Sequence, residues 1–98
     1  MVWGQWWTYI EDVAKYEQDT FGVYELGDDS KNTVYYGSGE IRSRLLDHLS
    51  KKECPMARYY RVESCTSEQE YRAKEQQLLE EYKKTHAGKL PMYNEKMG

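Results

Sequence analysis

Apolar and polar positions change their period along the chain, and each change predicts an element. Phe21-Gly22-Val23-Tyr24-Glu25-Leu26 and Thr33-Val34-Tyr35-Tyr36 are short runs of β-branched and aromatic residues, separated by Gly27-Asp28-Asp29-Ser30-Lys31-Asn32. Runs of this kind around turn-forming residues predict a β-hairpin that sets Tyr24 and Tyr35 on neighbouring strands. From Ser38 the period lengthens: Ile41, Leu45 and Leu49 mark the buried face of a helix, with Leu46 at its flank. Ser38 reads as the N-cap, with Glu40 in the first turn. Arg44 and His48 lie one turn apart on a neighbouring face. That spacing suits a solvated helix surface as well as a paired function.

Pro55 breaks the helix, and residues 57–62 alternate as a third strand. Ser67-Glu68-Gln69-Glu70 has the form of a capping box opening a helix that lasts to about Thr85. Its inward stripe is Tyr71, Glu75, Leu78, Leu79 and Tyr82. A carboxylate at a core-facing position needs a partner, because burying an isolated charge is expensive. Arg44, a divalent cation, or solvent at the edge of the stripe could each serve Glu75. At the front of the chain, Trp6, Tyr9, Ile10, Val13 and Tyr16 follow helical spacing and predict a short amphipathic helix laid on the sheet. Trp3, Trp6 and Trp7 could instead form an exposed stacking or partner surface; core packing is the stronger reading for aromatics at that spacing. The tail leaves its helix through Gly88 and Pro91 and predicts an extended segment holding Tyr93 and Asn94.

Composition narrows the function classes. With 98 residues the chain fits one domain with a single core. Ten tyrosines and three tryptophans offset an apolar fraction of 39%, because each aromatic buries a large area. The net charge of -3 gives no global attraction for nucleic acid, so a polyanion needs a local patch. Cys54 and Cys65 lack the spacing of a zinc site or a disulfide framework. No apolar run is long enough to span a membrane, and the first residues lack the basic start and apolar core of a secretory leader. A soluble, cytoplasmic domain is expected.

The ordered set of short motifs resembles the GIY-YIG nuclease superfamily over residues 21–94. Gly22-Val23-Tyr24 matches the first half-motif and Tyr35-Tyr36-Gly37 the second, with ten residues between them. Arg44 follows an apolar anchor, Ile41, as the family's arginine does, and His48 matches the histidine that its homing endonucleases carry one turn later. Glu75-Gln76-Gln77-Leu78-Leu79 matches the family's glutamate pattern, and Asn94 in Pro91-Met92-Tyr93-Asn94 its terminal asparagine. Ser38 stands where the family's excision-repair subunit has a lysine. The resemblance implies an α+β fold with a small three-stranded antiparallel sheet flanked by helices, preceded by an aromatic extension over residues 1–20.

It also implies metal-dependent hydrolysis of DNA. Glu75 would hold one Mg²⁺ or Mn²⁺, Arg44 would clamp the phosphate, and Tyr24 would be the general base with Tyr35 assisting. His48 would assist proton transfer, while Asn94, Gly37 and Ser38 would support the site. Such nucleases usually carry a separate DNA-binding domain. A catalytically weak or inactive module that binds nucleic acid or a protein is the alternative, and a structural interaction domain that meets a protein partner or forms an oligomer through its tryptophan-rich front is the third reading.

Overall fold

Every residue of strand β2, Phe21–Gly27, is buried except Phe21, because β2 has strands on both sides and helices on both faces. The computed structural model describes residues 3–97, with side chains through residue 95; Met1 and Val2, part of the predicted extension, lie outside it. The elements in order are β1 (Trp7–Thr8), α1 (Glu11–Ala14), β2, β3 (Thr33–Glu40), α2 (Ile41–Lys51), β4 (Tyr59–Ser64), α3 (Glu68–Thr85) and α4 (Met92–Met97). They form an α+β domain whose antiparallel sheet has the order β1-β4-β2-β3. Among the described residues no helix is long and apolar enough to cross a membrane.

The hairpin forms as its sequence predicts. Asp28 Oδ1 accepts the backbone N–H groups of Ser30 and Asn32, an Asx turn that fixes the reversal locally. Register then sorts the side chains. Tyr24, Leu26, Tyr35, Tyr60 and Val62 share one face; Val23, Glu25, Tyr36, Ser38 and Arg61 share the other. The first face packs on α2 through Ile41 and Leu45, with Tyr9 and Ala14 completing the core. The second receives α3, whose Ser67 Oγ accepts the Glu70 N–H as the capping box predicts.

Five expectations are corrected. The sheet has a fourth strand: residues 6–16 do not form one amphipathic helix, since Trp7–Thr8 pairs with β4 and only Glu11–Ala14 is helical. The exposed edge of β4 offers unpaired backbone groups, which Gly4 and Tyr9 also satisfy by donating to Val62 and Arg58. Tyr16, placed on the buried stripe by spacing, is 80% exposed. Ser38 does not cap α2. It belongs to β3, opposite Val23, and the helix starts after Glu40. Its first turn is instead capped by Asp19, which accepts the backbone N–H and the hydroxyl of Ser43, and these bonds hold its carboxyl below the usual range. Residues 57–62 start their strand two residues later, at Tyr59. Finally, α4 follows Pro91 where an extended tail was expected; Pro91 stands just before the helix, which needs no N–H from it there, and its carbonyl accepts from Asn94 and Glu95.

The two cysteines are free and buried. Burial pushes the Cys54 thiol up to about 12, which leaves it unreactive near neutral pH.

Candidate active site

The candidate site is built where β3, the outer strand of the sheet, runs into α2. Tyr24 lies opposite Gly37 in the register, and its ring crosses the space that a side chain at 37 would fill. A Cβ placed on Gly37 would come within 2.3 Å of the phenol, so the glycine of the second half-motif is required by the tyrosine of the first. Gly39 has a φ of +130°, and the Arg44 side chain packs directly over it. The two glycines thus let a tyrosine and an arginine from different elements meet at one edge.

The Tyr24 hydroxyl sits 2.7 Å from His48 Nε2. The other imidazole nitrogen, Nδ1, is 3.1 Å from Glu53 Oε1. A carboxylate can only accept, so Nδ1 carries the proton, and Nε2 is then the acceptor for Tyr24. His48 is 3% exposed. Burial lowers its pKa, more than Glu53 raises it, so the ring is neutral near pH 7. Tyr35 completes the cluster, its ring 5.1 Å from His48 and 6.1 Å from Tyr24 between centroids.

Burial holds the Tyr24 phenol well above its ordinary pKa, against the lowering influence of Arg44. Tyr24 has no exposed surface, whereas Arg44 is exposed and faces its oxygen. Tyr35, half-buried, is raised by desolvation and by the carboxylate of Glu75. Glu75 belongs to α3, on the opposite face of the sheet, and meets the cluster around the edge of β3, where Ser38, Arg72 and Arg44 lie near enough to favour its charged form. Desolvation outweighs these influences and raises its pKa. Both faces can contribute to one site because β3 is an edge strand, with no further strand beyond it among the described residues.

Tyr24, Tyr35, Arg44, His48 and Glu75 are therefore brought together, with Gly37 and Ser38 as their supports. Asn94 does not reach the cluster. Its Oδ1 accepts the Tyr36 N–H and its Nδ2 donates to the Tyr36 carbonyl, both at 2.9 Å, so it clamps the free edge of β3 between Tyr35 and Gly37. Glu53 was not foreseen. Its signal was a carboxylate just beyond the end of the helix that carries His48, in the position of a group orienting an imidazole.

Protonation of His48 should cost stability. Its folded pKa is depressed, so as pH falls the unfolded chain takes the proton first; the contribution is whole above about 6.5 and is lost as pH drops toward the folded value. Glu75, raised, works the other way at lower pH, while Tyr24, Tyr35, Glu53, Arg44 and Asp47 face the imidazole throughout. Urea unfolding of the wild type and His48→Gln between pH 5 and 8 is expected to show a steeper loss for the wild type below about pH 6.5. Parallel curves would mean that the ring is not held neutral.

Among the described residues no three His, Cys, Asp or Glu side chains group closely enough to hold an ion. Glu75 offers a carboxylate, and a small carboxylate donor set suits Mg²⁺, which keeps several waters and binds through one or two carboxylates plus substrate phosphate. A groove of about 490 Å³, lined by Phe21, Ser38, Gly39, Ser43, Arg44 and Tyr71 among others, opens beside it. A larger groove of about 610 Å³, between the hairpin loop and the end of α3, contains none of the clustered residues.

No curated protein and no solved structure is significantly similar to the chain. Residues 4–85, which carry every clustered residue but leave out Asn94, match the family model described as a domain of unknown function, DUF7508, and the chain belongs to that family.

Proposed function

We propose that this domain is a GIY-YIG-type nuclease that hydrolyses phosphodiesters of DNA with the help of a divalent metal ion. The observation that carries the reading is the convergence of Arg44, Glu75 and the Tyr24–His48–Glu53 chain on one edge of the sheet, from four separate segments of sequence. These groups match the demands of the reaction: charge neutralisation at phosphorus, a route for the proton of the attacking water, and a carboxylate for a hard cation.

Arg44 takes the phosphate, since its planar guanidinium can bind two oxygens at once. Drawing its guanidinium onto a phosphate also uncovers the Tyr24 oxygen that it faces. The proton of the water then passes to that oxygen while the phenol's own proton passes to His48 Nε2, so no free phenolate is needed. Glu53 stabilises the resulting imidazolium at Nδ1. Glu75 would hold Mg²⁺ or Mn²⁺, which supplies Lewis-acid stabilisation of the charge at phosphorus.

Purified protein incubated with supercoiled, linear and branched DNA should cut only when Mg²⁺ or Mn²⁺ is present, and Glu75→Gln, close to isosteric, should abolish cutting. Absence of cutting on all three substrates, or equal cutting by the variant, would sink the reading in favour of a non-catalytic nucleic-acid or protein-binding module.

A further inference from the structure

The groove beside Arg44 has an aromatic wall that the hydrolytic chemistry leaves unused. Phe21 and Tyr71 line it together, their ring centroids 5.7 Å apart and tilted by 47°. Phe21 keeps 42% of its surface exposed, at the first position of the central strand, where a polar residue would pair with Glu40 equally well. Tyr71 opens the inward stripe of α3, yet it is only half-buried and turns toward Phe21 rather than into the core. An aromatic pair with one ring exposed and the other half-buried, in a groove that also holds an arginine, is the composition of a base-stacking site.

The charge of the groove decides between two forms of nucleic acid. Its charged lining is one arginine, Arg44, against two glutamates, Glu40 and Glu68. Duplex DNA is gripped along a track of phosphates by many cations, and these glutamates would repel such a track. An unpaired nucleotide needs a single phosphate contact and a flat apolar surface for its base, which the wall provides. The volume of about 490 Å³ falls within the range of small-ligand sites.

We infer that the groove receives an unpaired nucleotide of a nucleic-acid strand, its base stacked on the Phe21–Tyr71 pair and its phosphate on Arg44. This rests on the nuclease reading for the role of Arg44, and it adds that the strand is taken single-stranded or locally unpaired.

The test is fluorescence anisotropy with labelled oligothymidylate, oligouridylate and a duplex of equal length, with Ca²⁺ in place of Mg²⁺ so that binding is read without turnover. Phe21→Leu and Tyr71→Leu keep apolar bulk and remove the stacking face; circular dichroism checks that both stay folded, and Phe21→Trp and Tyr71→Phe serve as rescues if either does not. The wild type should bind oligothymidylate about ten-fold more tightly than duplex. Each Leu variant should lose roughly ten-fold on the single strand with no change on the duplex, while the aromatic variants keep wild-type binding. The slope of log K against log salt should be about -0.7, that of a single phosphate contact on a single strand. Preference for oligouridylate would name RNA as the source of the strand and equal binding would name either.

Duplex binding as tight as single-strand binding, Leu variants that bind like the wild type, or no binding of any strand would overturn the inference. Its failure is separable from that of the nuclease reading. Metal-dependent duplex cutting that survives both Leu variants removes the stacking site and keeps the nuclease, whereas stacking-dependent binding with no cutting in Mg²⁺ or Mn²⁺ does the reverse.

Discussion

Arg44→Ala should lower the rate of DNA cutting by roughly 10²–10³-fold, the loss usual when one preorganised donor to a developing charge is removed. Arg44 sits on the exposed face of α2 with its stem over Gly39, so alanine should change stability by no more than about 0.5 kcal/mol. The two effects therefore separate. Arg44→Lys keeps the charge and loses the planar fork; it should recover only part of the rate, because a point charge cannot bind two phosphate oxygens in fixed geometry. Initial rates at saturating Mg²⁺, with thermal unfolding of each variant as a control, decide the matter. Equal rates for Arg44→Ala and the wild type would remove Arg44 from the site, and with it the reason for Tyr24 to become accessible.

Much of this site was legible because its parts are local. The hairpin, the periodicity of α2 and the Ser67 cap each depend on residues a few positions apart, and all are present in the fold. What escaped depends on distant partners. Asp19 caps α2 from the loop before β2, so no reading of residues 38–44 alone could remove the role of N-cap from Ser38. The strand at Trp7–Thr8 exists because the β4 edge needs partners, a demand that overrides the helical spacing of its own residues. Asn94 reads from the sequence as a support of the site, and both of its hydrogen bonds go to the backbone of Tyr36; its identity is visible in the sequence and its target is not. His48 shows the converse. Spacing placed it beside Arg44 on a side of the helix that could equally be solvated, and only the sheet packed above it, with Glu53 behind, makes it a buried, neutral, oriented imidazole.

The same contrast explains the tryptophans at the front of the chain, and it yields the largest expected effect on stability. Glu25 is 2% exposed in the middle of the central strand. Its Oε1 is 2.6 Å from Arg61 Nε, and Thr33 donates to its other oxygen. The Arg61 guanidinium stacks against Trp6 and Trp3, 4.5 and 5.0 Å from their ring centroids, and Trp3 stacks in turn on Tyr36. The aromatic segment therefore covers an ion pair on the second face of the sheet. Arg61→Ala should destabilise the domain by about 3–5 kcal/mol, because it leaves a buried carboxylate without its counter-charge. That is a large part of the ~5–15 kcal/mol available to a domain of ordinary stability. The double variant Glu25→Met, Arg61→Met removes both charges and should regain most of the loss, since a buried pair is costly chiefly when broken. Urea unfolding followed by tryptophan fluorescence reads both effects, with Trp3 and Trp6 as reporters at the pair itself. A loss below about 1 kcal/mol for Arg61→Ala would mean that Glu25 finds water or a proton instead, and that the tryptophans cover the sheet for its apolar area alone.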